Sequence, residues 1–117
     1  MNDALKIWVE KIRTNDANQI IELYHDDGLL LGTFSDIERH GKEFILNYFK
    51  NLMKSKIDVK IITENEHKLD SVIVNSGFYN FIVNGEEVKA RFSFVFINTK
   101  GNWKILSHHS SKLPKSN

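Results

Sequence analysis

The closing stretch of the chain, residues 102–114, reads NWKILSHHSSKLP, and the fold depends on how it is interpreted. It begins as an apolar strand and then carries five consecutive small or imidazole polar side chains, from Ser107 to Ser111. Because side chains alternate along a strand, one face should hold Trp103, Ile105, Ser107, His109 and Ser111, and the other Lys104, Leu106, His108 and Ser110. Buried hydroxyls and imidazoles need hydrogen-bond partners. The stretch is therefore either a polar strand end in solvent or the polar floor of a pocket.

The composition limits the classes of function. With 117 residues and a net charge of +1, the chain is long enough for one domain and has no charge excess that would attract nucleic acid or an anionic membrane. It contains no cysteine, which excludes disulfides and thiolate metal sites. There is no signal-peptide pattern, and no apolar run approaches the roughly 18 residues of a membrane span. We expect a cytoplasmic protein with one domain over residues 1–114, a frayed tail over 115–117, and neither nucleic-acid nor membrane partners.

Apolar periodicity predicts three helices and a sheet. Helical spacing relates Leu5, Trp8, Val9 and Ile12, then Ala17, Ile20, Ile21 and Tyr24, and later Phe44, Ile45, Tyr48, Phe49, Leu52 and Met53. Strands are predicted over 29–33, 57–69, 72–83, 88–98 and 103–110. Asn84-Gly85 and Lys100-Gly101 predict tight hairpin loops. The expected fold class is α+β, with three N-terminal helices packed on a curved antiparallel sheet.

The two hairpins predict a register for the sheet. It places Tyr79 opposite Ala90 across the first loop, and Phe92 opposite His109 across the second. The more apolar face, which the helices should cover, then holds His109 and Ser111 beside Tyr79, Phe92 and Phe94. Small and polar side chains in this row favour a cavity between helices and sheet over a filled core. A slip of one residue would exchange the two faces.

The opposite face of the predicted sheet is mixed in character. It carries an apolar row formed by Val74, Val95 and Leu106. Exposed apolar rows of this kind are typical of contacts between subunits. We therefore expect a homodimer or a higher homo-oligomer that associates through the outer face of the sheet.

The polar residues of the predicted cavity indicate acid–base chemistry without a metal. His109 could exchange protons near neutral pH, although a structural imidazole bonded to a neighbouring hydroxyl is the alternative. His108 points away from it, and the inner face carries no carboxylate, so we predict no metal site. The glycines fit no phosphate-binding loop, and we predict no cofactor. Tyr48 and Thr33 could add hydroxyl groups, but each also suits a purely structural position.

Two blocks of the sequence resemble a known family. The first contains Trp8, Leu23-Tyr24, residues 27–35 (DGLLLGTFS), Arg39 and Tyr48-Phe49. The second contains residues 77–81 (GFYNF), residues 90–96 (ARFSFVF), Trp103 and the ending His108-His109-Ser110-Ser111-x-x-Pro114. Both are similar to bacterial proteins related to the calcium/calmodulin-dependent protein kinase II association domain, within the nuclear transport factor 2-like, polyketide-cyclase-like superfamily. The ending resembles in particular the iota-class carbonic anhydrases.

This resemblance implies a cystatin-like, cone-shaped α+β fold with a pocket between helices and sheet, usually in a dimer or larger assembly. Iota-class members hydrate carbon dioxide, some without a metal, through a threonine, a tyrosine and the His/Ser of the final motif. Carried onto this chain, the catalytic positions are Thr33, Tyr48, His109 and Ser111. Gly32 departs from the pattern, because relatives often have proline there.

Together, these features predict a carbonic anhydrase-like enzyme without a cofactor, whose ligand is bicarbonate or another small molecule. Tyr79, Phe92 and Phe94 would form the apolar wall of its substrate pocket, and His109 would accept the proton. One alternative is a non-enzymatic module for ligand binding or oligomerisation. Another is an isomerase- or cyclase-like enzyme for a small organic substrate, which usually needs a buried carboxylate base that the sequence does not place.

Overall fold

The computed structural model describes residues 1–115. Its helices are α1 (Asp3–Arg13), α2 (Ala17–Ile21) and α3 (Lys42–Leu52), and its strands are β1 (Tyr24–Leu31), β2 (Arg39–His40), β3 (Ile57–Leu69), β4 (Val72–Val83), β5 (Glu86–Thr99) and β6 (Asn102–Lys112). The α+β class and the three helices are confirmed. No helix in this range is long and apolar enough to cross a membrane. Of the predicted tail over 115–117, the last two residues lie outside the described range.

The first two helices begin at side-chain caps. Asn2 Oδ1 accepts a hydrogen bond from the Leu5 N–H at 2.8 Å, and Asp16 accepts one from the Asn18 N–H at 2.9 Å. Most of the apolar side chains predicted at helical spacing are buried. Tyr24 is also buried, but it begins β1 and does not end the second helix.

The six strands form one sheet in the order β2-β1-β6-β5-β4-β3. The meander from β3 to β6 is antiparallel, as predicted, whereas β1 lies parallel to β6. Both predicted hairpin loops are confirmed. Asn84 and Gly85 have φ angles of 50° and 87°, and Lys100 and Gly101 have 54° and 86°, the left-handed pairs that a type I′ turn requires.

A single extra residue interrupts the pairing of β6 with β5. Phe96 lies opposite Ile105, as the hairpin predicts. The next pair is Val95 with Ser107, so Leu106 has no partner and forms a β-bulge. Beyond this point every residue of β6 is shifted by one relative to the predicted register.

The bulge reverses the predicted orientation of the polar end of β6, because a one-residue shift moves each later side chain to the other face. The expectation that His109 and Ser111 face the helices is wrong, since His109 is exposed and Ser111 is half-buried. His108 and Ser110 occupy the inner face instead, where they are 2% and 5% exposed.

Aromatic rings fill the space in which a cavity was expected. The Trp8 ring lies 5.9 Å from that of Tyr79 and 5.0 Å from that of Phe94, measured between centroids. The rings of Tyr79 and Phe92 are 4.6 Å apart. All four side chains are buried and pack closely enough to exclude water. Tyr79, Phe92 and Phe94, expected to wall a substrate pocket, are therefore part of the packed core.

Candidate functional site

His108 lies in the middle of a buried chain of hydrogen bonds. Its Nδ1 is 2.8 Å from the Tyr24 hydroxyl, and its Nε2 is 3.1 Å from the Tyr79 hydroxyl. The Tyr79 hydroxyl donates to Ser110 Oγ, which is in turn hydrogen-bonded to Thr33 Oγ1. The chain thus joins β1, β4 and β6 to the loop that follows β1.

The two ends of this chain have different surroundings. At the inner end, the Trp8 indole N–H donates to the Tyr24 hydroxyl at 3.2 Å, and both side chains are fully buried. At the outer end, Thr33 is half-buried and reaches the surface. We call the six side chains from Trp8 to Thr33 the polar chain; they are Trp8, Tyr24, His108, Tyr79, Ser110 and Thr33.

Burial keeps the polar chain uncharged. Burial, which removes the imidazole from water, lowers the pKa of His108 to about 3. Repulsion from the neighbouring imidazole of His109 adds to the effect on this pKa. The Phe94 ring stacks on His108 with 3.9 Å between centroids. Burial also raises the pKa of Tyr24 and of Tyr79 well above the ordinary range. At neutral pH, therefore, neutral groups make all the hydrogen bonds of the chain.

A surface cavity opens where the polar chain ends. β1 pairs with β6 only as far as Leu31, which lies opposite His109. At Gly32 the backbone leaves the sheet. The gap between the loop over 32–38 and the end of β6 has a volume of about 480 Å³. We call this cavity the edge notch; its walls are Leu31, Gly32, Thr33, Ser35, Asp36, Ile37, Glu38, His109, Ser110, Ser111 and Lys112.

The walls of the edge notch carry charges of both signs. Asp36 and Glu38 come from the loop, and Lys112 comes from the end of β6. All three are exposed, so solvent screens them. Because the two carboxylates outnumber the one ammonium group, the notch does not favour an anion by charge alone.

The structure separates the four residues that the resemblance implied as catalytic. Thr33 lines the edge notch, as do His109 and Ser111, although these two reach it from the outer face of the sheet. Tyr48 does not line the notch. It borders a smaller cavity of about 180 Å³ on the other side of the loop, together with Phe34.

Tyr48 is packed into that position by its neighbours. It is 5% exposed, and its hydroxyl accepts a 3.4 Å hydrogen bond from the Phe34 N–H. Burial raises its pKa to about 12. Its ring occupies the space beside Gly32, where an added Cβ would lie only 2.5 Å from the tyrosine Cε1. A residue with a side chain at position 32 would therefore displace the ring or the loop.

Sequence reasoning missed four members of the polar chain. Trp8 and Tyr24 were assigned to helical core stripes, and His108 and Ser110 to the outer face. The doubled His-Ser pattern offers one imidazole and one hydroxyl to each face of β6, so only the bulge decides which pair is buried. In residues 1–115, no three His, Asp or Glu side chains converge as a metal site would require.

Comparisons with known proteins agree with the fold. A family of SnoaL-like domains matches residues 1–115. A Xanthomonas campestris structure, provisionally named a calcium/calmodulin dependent protein kinase II association domain, is 33% identical, with a TM-score of 0.90 over 96% of this chain and 84% of that one. A search of curated protein sequences gives no match.

Two more distant structures share the fold alone. A nuclear transport factor 2-like protein of unknown function from Pseudomonas putida is 15% identical, with a TM-score of 0.85 over 97% of this chain and 83% of that one. A provisionally named ketosteroid isomerase from Parabacteroides distasonis is 17% identical, with a TM-score of 0.81 over 93% and 84%. The predicted resemblance to this superfamily and to the association-domain proteins is confirmed, and none of these three relatives is named as a carbonic anhydrase.

Proposed function

The chain belongs to the SnoaL-like domain family, and we propose that it binds a small organic molecule in the edge notch through the hydroxyl of Thr33, which Ser110 holds in place. The observation that carries this proposal is the meeting of a buried polar chain with an open cavity. Buried hydroxyl groups at the wall of a concave site are the means by which many proteins orient a ligand.

The size and charge of the notch narrow the ligand class. A volume of about 480 Å³ falls within the range of roughly 300–1,000 Å³ that is typical of small-molecule sites. A triatomic molecule would leave most of that space to water. The exposed Asp36 and Glu38 carboxylates and the single Lys112 ammonium group give the notch no charge preference for an anion. A neutral molecule with one polar oxygen fits these walls best.

Fragment binding tests the site without knowledge of the natural ligand. Cyclopentanone, titrated into the ¹⁵N-labelled protein, should shift the amide signals of Thr33 and Ser110 in a saturable way, and acetate should shift them less. Thr33→Val should weaken the cyclopentanone response. The matched control is Ser76→Ala, which removes a hydroxyl that bonds to Ser93 outside the notch. Equal responses of wild type and Thr33→Val, or shifts located elsewhere, would contradict the proposal.

Carbon dioxide hydration is a second candidate, favoured by the one imidazole that reaches the notch. His108 is a poor proton acceptor because burial lowers its pKa to about 3. His109 is exposed on the rim of the same notch as Thr33, so the proton would go to His109 and then to solvent. The Thr33 hydroxyl would hold an oxygen of the substrate by a hydrogen bond.

A stopped-flow hydration assay decides this candidate. Metal-stripped protein should accelerate carbon dioxide hydration above the buffer rate, and His109→Ala should reduce that rate. His67→Ala changes an exposed histidine on β3 and serves as the control. Rates equal to buffer, both without metal and with added zinc, would end the carbonic anhydrase proposal and leave ligand binding as the function.

The outer face of the sheet is the proposed contact with a second copy of the chain. Val74 pairs with Val95 on this face, and Phe78, four residues farther along β4 on the same face, is 45% exposed. Leu106 adjoins the row from its bulge. Val95→Lys should shift the mass measured by light scattering toward the monomer, with Lys50→Glu, a charge change at an exposed position of α3, as the control. A wild-type monomer would contradict the contact.

A further inference from the structure

The inner end of the polar chain consists of a group that only donates. An indole N–H has a hydrogen to give and no lone pair to receive one. Trp8 therefore donates to the Tyr24 oxygen, at 3.2 Å. The hydroxyl hydrogen of Tyr24 then has one partner in the buried core, Nδ1 of His108 at 2.8 Å. If His108 donated there instead, the hydrogen of a fully buried hydroxyl would lack a partner, which is costly.

The same reasoning assigns the donor and the acceptor in each remaining hydrogen bond of the polar chain. A neutral imidazole carries one hydrogen, and an accepting Nδ1 places that hydrogen on Nε2. Nε2–H then donates to the Tyr79 oxygen at 3.1 Å, and the Tyr79 hydroxyl donates to Ser110. Ser110 Oγ accepts from Tyr79, and its own hydrogen goes to Thr33 Oγ1, because Ser110 is 5% exposed and this buried hydrogen would otherwise lack a partner. Each group accepts from the inner side and donates to the outer side.

We propose that this fixed order makes the Thr33 hydroxyl a hydrogen-bond donor to the edge notch, so that the notch selects ligands presenting an acceptor oxygen, such as a ketone, ester or amide carbonyl. In this order Thr33 accepts from Ser110, which leaves its own hydrogen for the notch that Thr33 lines. The inference rests on the proposed binding function for the ligand, whereas the proton order itself is a property of the unliganded protein. Tyr24, His108 and Tyr79 are positioning residues, because none of them lines the notch.

The same end group shows what the polar chain does not do. A proton that entered at Thr33 would need an acceptor at the far end, and the indole of Trp8 offers none. The low pKa of His108 agrees with this, because burial opposes a charged imidazole in the middle of the chain. The chain therefore orients hydrogens and strengthens the outermost donor, and it does not carry a proton away.

The tautomer of His108 gives a direct test of the proton order. A long-range ¹H–¹⁵N correlation spectrum of the wild-type protein distinguishes the nitrogen that bears hydrogen from the bare one. We expect hydrogen on Nε2 and a bare Nδ1. Hydrogen on Nδ1, or a charged ring at pH 7, would overturn the proposed order whether or not any ligand binds.

A pair of five-membered rings tests the ligand class. Cyclopentanone only accepts a hydrogen bond and pyrrole only donates one, so wild-type protein should respond to cyclopentanone at least several-fold more strongly. Tyr79→Phe keeps the ring but removes the hydroxyl that donates to Ser110. The Ser110 and Thr33 hydroxyls are then free to rotate, and the preference for cyclopentanone should disappear. Tyr48→Phe removes a buried hydroxyl outside the chain and should keep it.

The possible results separate the two proposals. If neither ring binds, the binding function fails while the tautomer still decides the proton order. If both rings bind wild type equally, the binding function survives and the selection for acceptors is wrong. A preference lost in Tyr79→Phe and kept in Tyr48→Phe supports the inference, and a preference kept in both overturns it. A loss of fold alone would not change the ratio of the two affinities, so the ratio is the quantity to compare.

Discussion

β6 carries the same pair of side chains twice, once on each face of the sheet. On the inner face, His108 and Ser110 are buried, bonded to two tyrosines and to Thr33, and shielded from water. On the outer face, His109 is exposed and Ser111 is half-buried at the rim of the edge notch. The two pairs are chemically identical. Their surroundings give the inner pair a fixed proton arrangement and leave the outer pair in contact with solvent.

The difference between the faces originates in one residue. Without the bulge at Leu106, strict alternation would place His109 and Ser111 under the helices. Tyr24 and Tyr79 would then meet a different imidazole, and the exchange would alter every bond of the polar chain. A bulge near a functional site is a common way to redirect a side chain. The contrast between the inner and outer pair can therefore be tested by matched substitutions.

The largest expected effect is on stability, from His108→Ala compared with His109→Ala. Loss of the inner imidazole leaves a cavity and removes the partner of two buried tyrosine hydroxyls, for a loss of about 3–5 kcal/mol in the free energy of unfolding. Loss of the outer imidazole should change it by no more than about 0.5 kcal/mol. Urea denaturation at pH 7.5 measures both.

This comparison has a clear contradictory outcome. If the two alanine variants were equally stable, or if His109→Ala were the less stable, the assignment of His108 to the core would be wrong. His108→Gln is a useful companion, because an amide can bond to one tyrosine and fill part of the space. It should lose less stability than His108→Ala.

The next effect is a loss of stability in acid that belongs to the inner imidazole alone. The pKa of His108 is about 3 in the folded protein and near ~6.5 when unfolded, so between these values only the unfolded chain binds the proton. The contribution of His108 to the free energy of unfolding is constant above pH ~6.5 and is lost as the pH falls toward 3. At pH 5 the loss amounts to about 2 kcal/mol. Urea midpoints measured from pH 7.5 to 5 should show this slope.

Two variants, His109→Ala and His108→Gln, separate the contribution of the His108 ring to the pH dependence from that of the carboxylates. The pKa of Asp58, lowered by its hydrogen bond from Arg13, also causes a loss of stability in acid, but equally in every variant. His109→Ala should retain most of the wild-type pH dependence, because burial is a larger cause of the low His108 pKa than His109 is, and His108→Gln should lose the part due to the ring. Identical slopes in both variants would show that the inner imidazole is not held neutral.

The sequence predicts most of the fold because its signals are local. The helical spacing of apolar residues and the two Gly-containing hairpin loops each depend on a few neighbouring positions, and both are confirmed. The orientation of β6 depends instead on one unpaired residue between two strands. Neither Leu106 nor its neighbours has a composition that marks a bulge.

The residue types expected in the cavity meet in the structure, but the imidazole and the serine that are buried come from the other side of β6. The closing stretch pointed to an imidazole and a serine, and the family resemblance pointed to Thr33; hydrogen bonds through Tyr79 connect these three residue types in the structure. The partners Tyr24 and Trp8 come from regions far away in sequence, and their hydroxyl and indole groups look like ordinary core on a helical pattern. Tertiary contacts alone bring them to His108.

The smallest expected effect is a coupling energy. Ser110→Ala should destabilise the protein by about 1–2 kcal/mol, because Tyr79 and Thr33 each lose a partner, whereas Ser111→Ala should stay within about 0.5 kcal/mol. His108 and Ser110 share the hydroxyl of Tyr79, so their double variant should deviate from additivity by about 0.5–1 kcal/mol.

The outer pair supplies the control for that coupling. His109 and Ser111 share no hydrogen-bond partner among the bonds of the described chain, so His109→Ala combined with Ser111→Ala should be additive within error. Two double-mutant cycles, one for each face, then compare the same chemistry in two surroundings. Additivity on the inner face as well would mean that the buried bonds act independently, and the one-way order that makes Thr33 a donor would lose its physical basis.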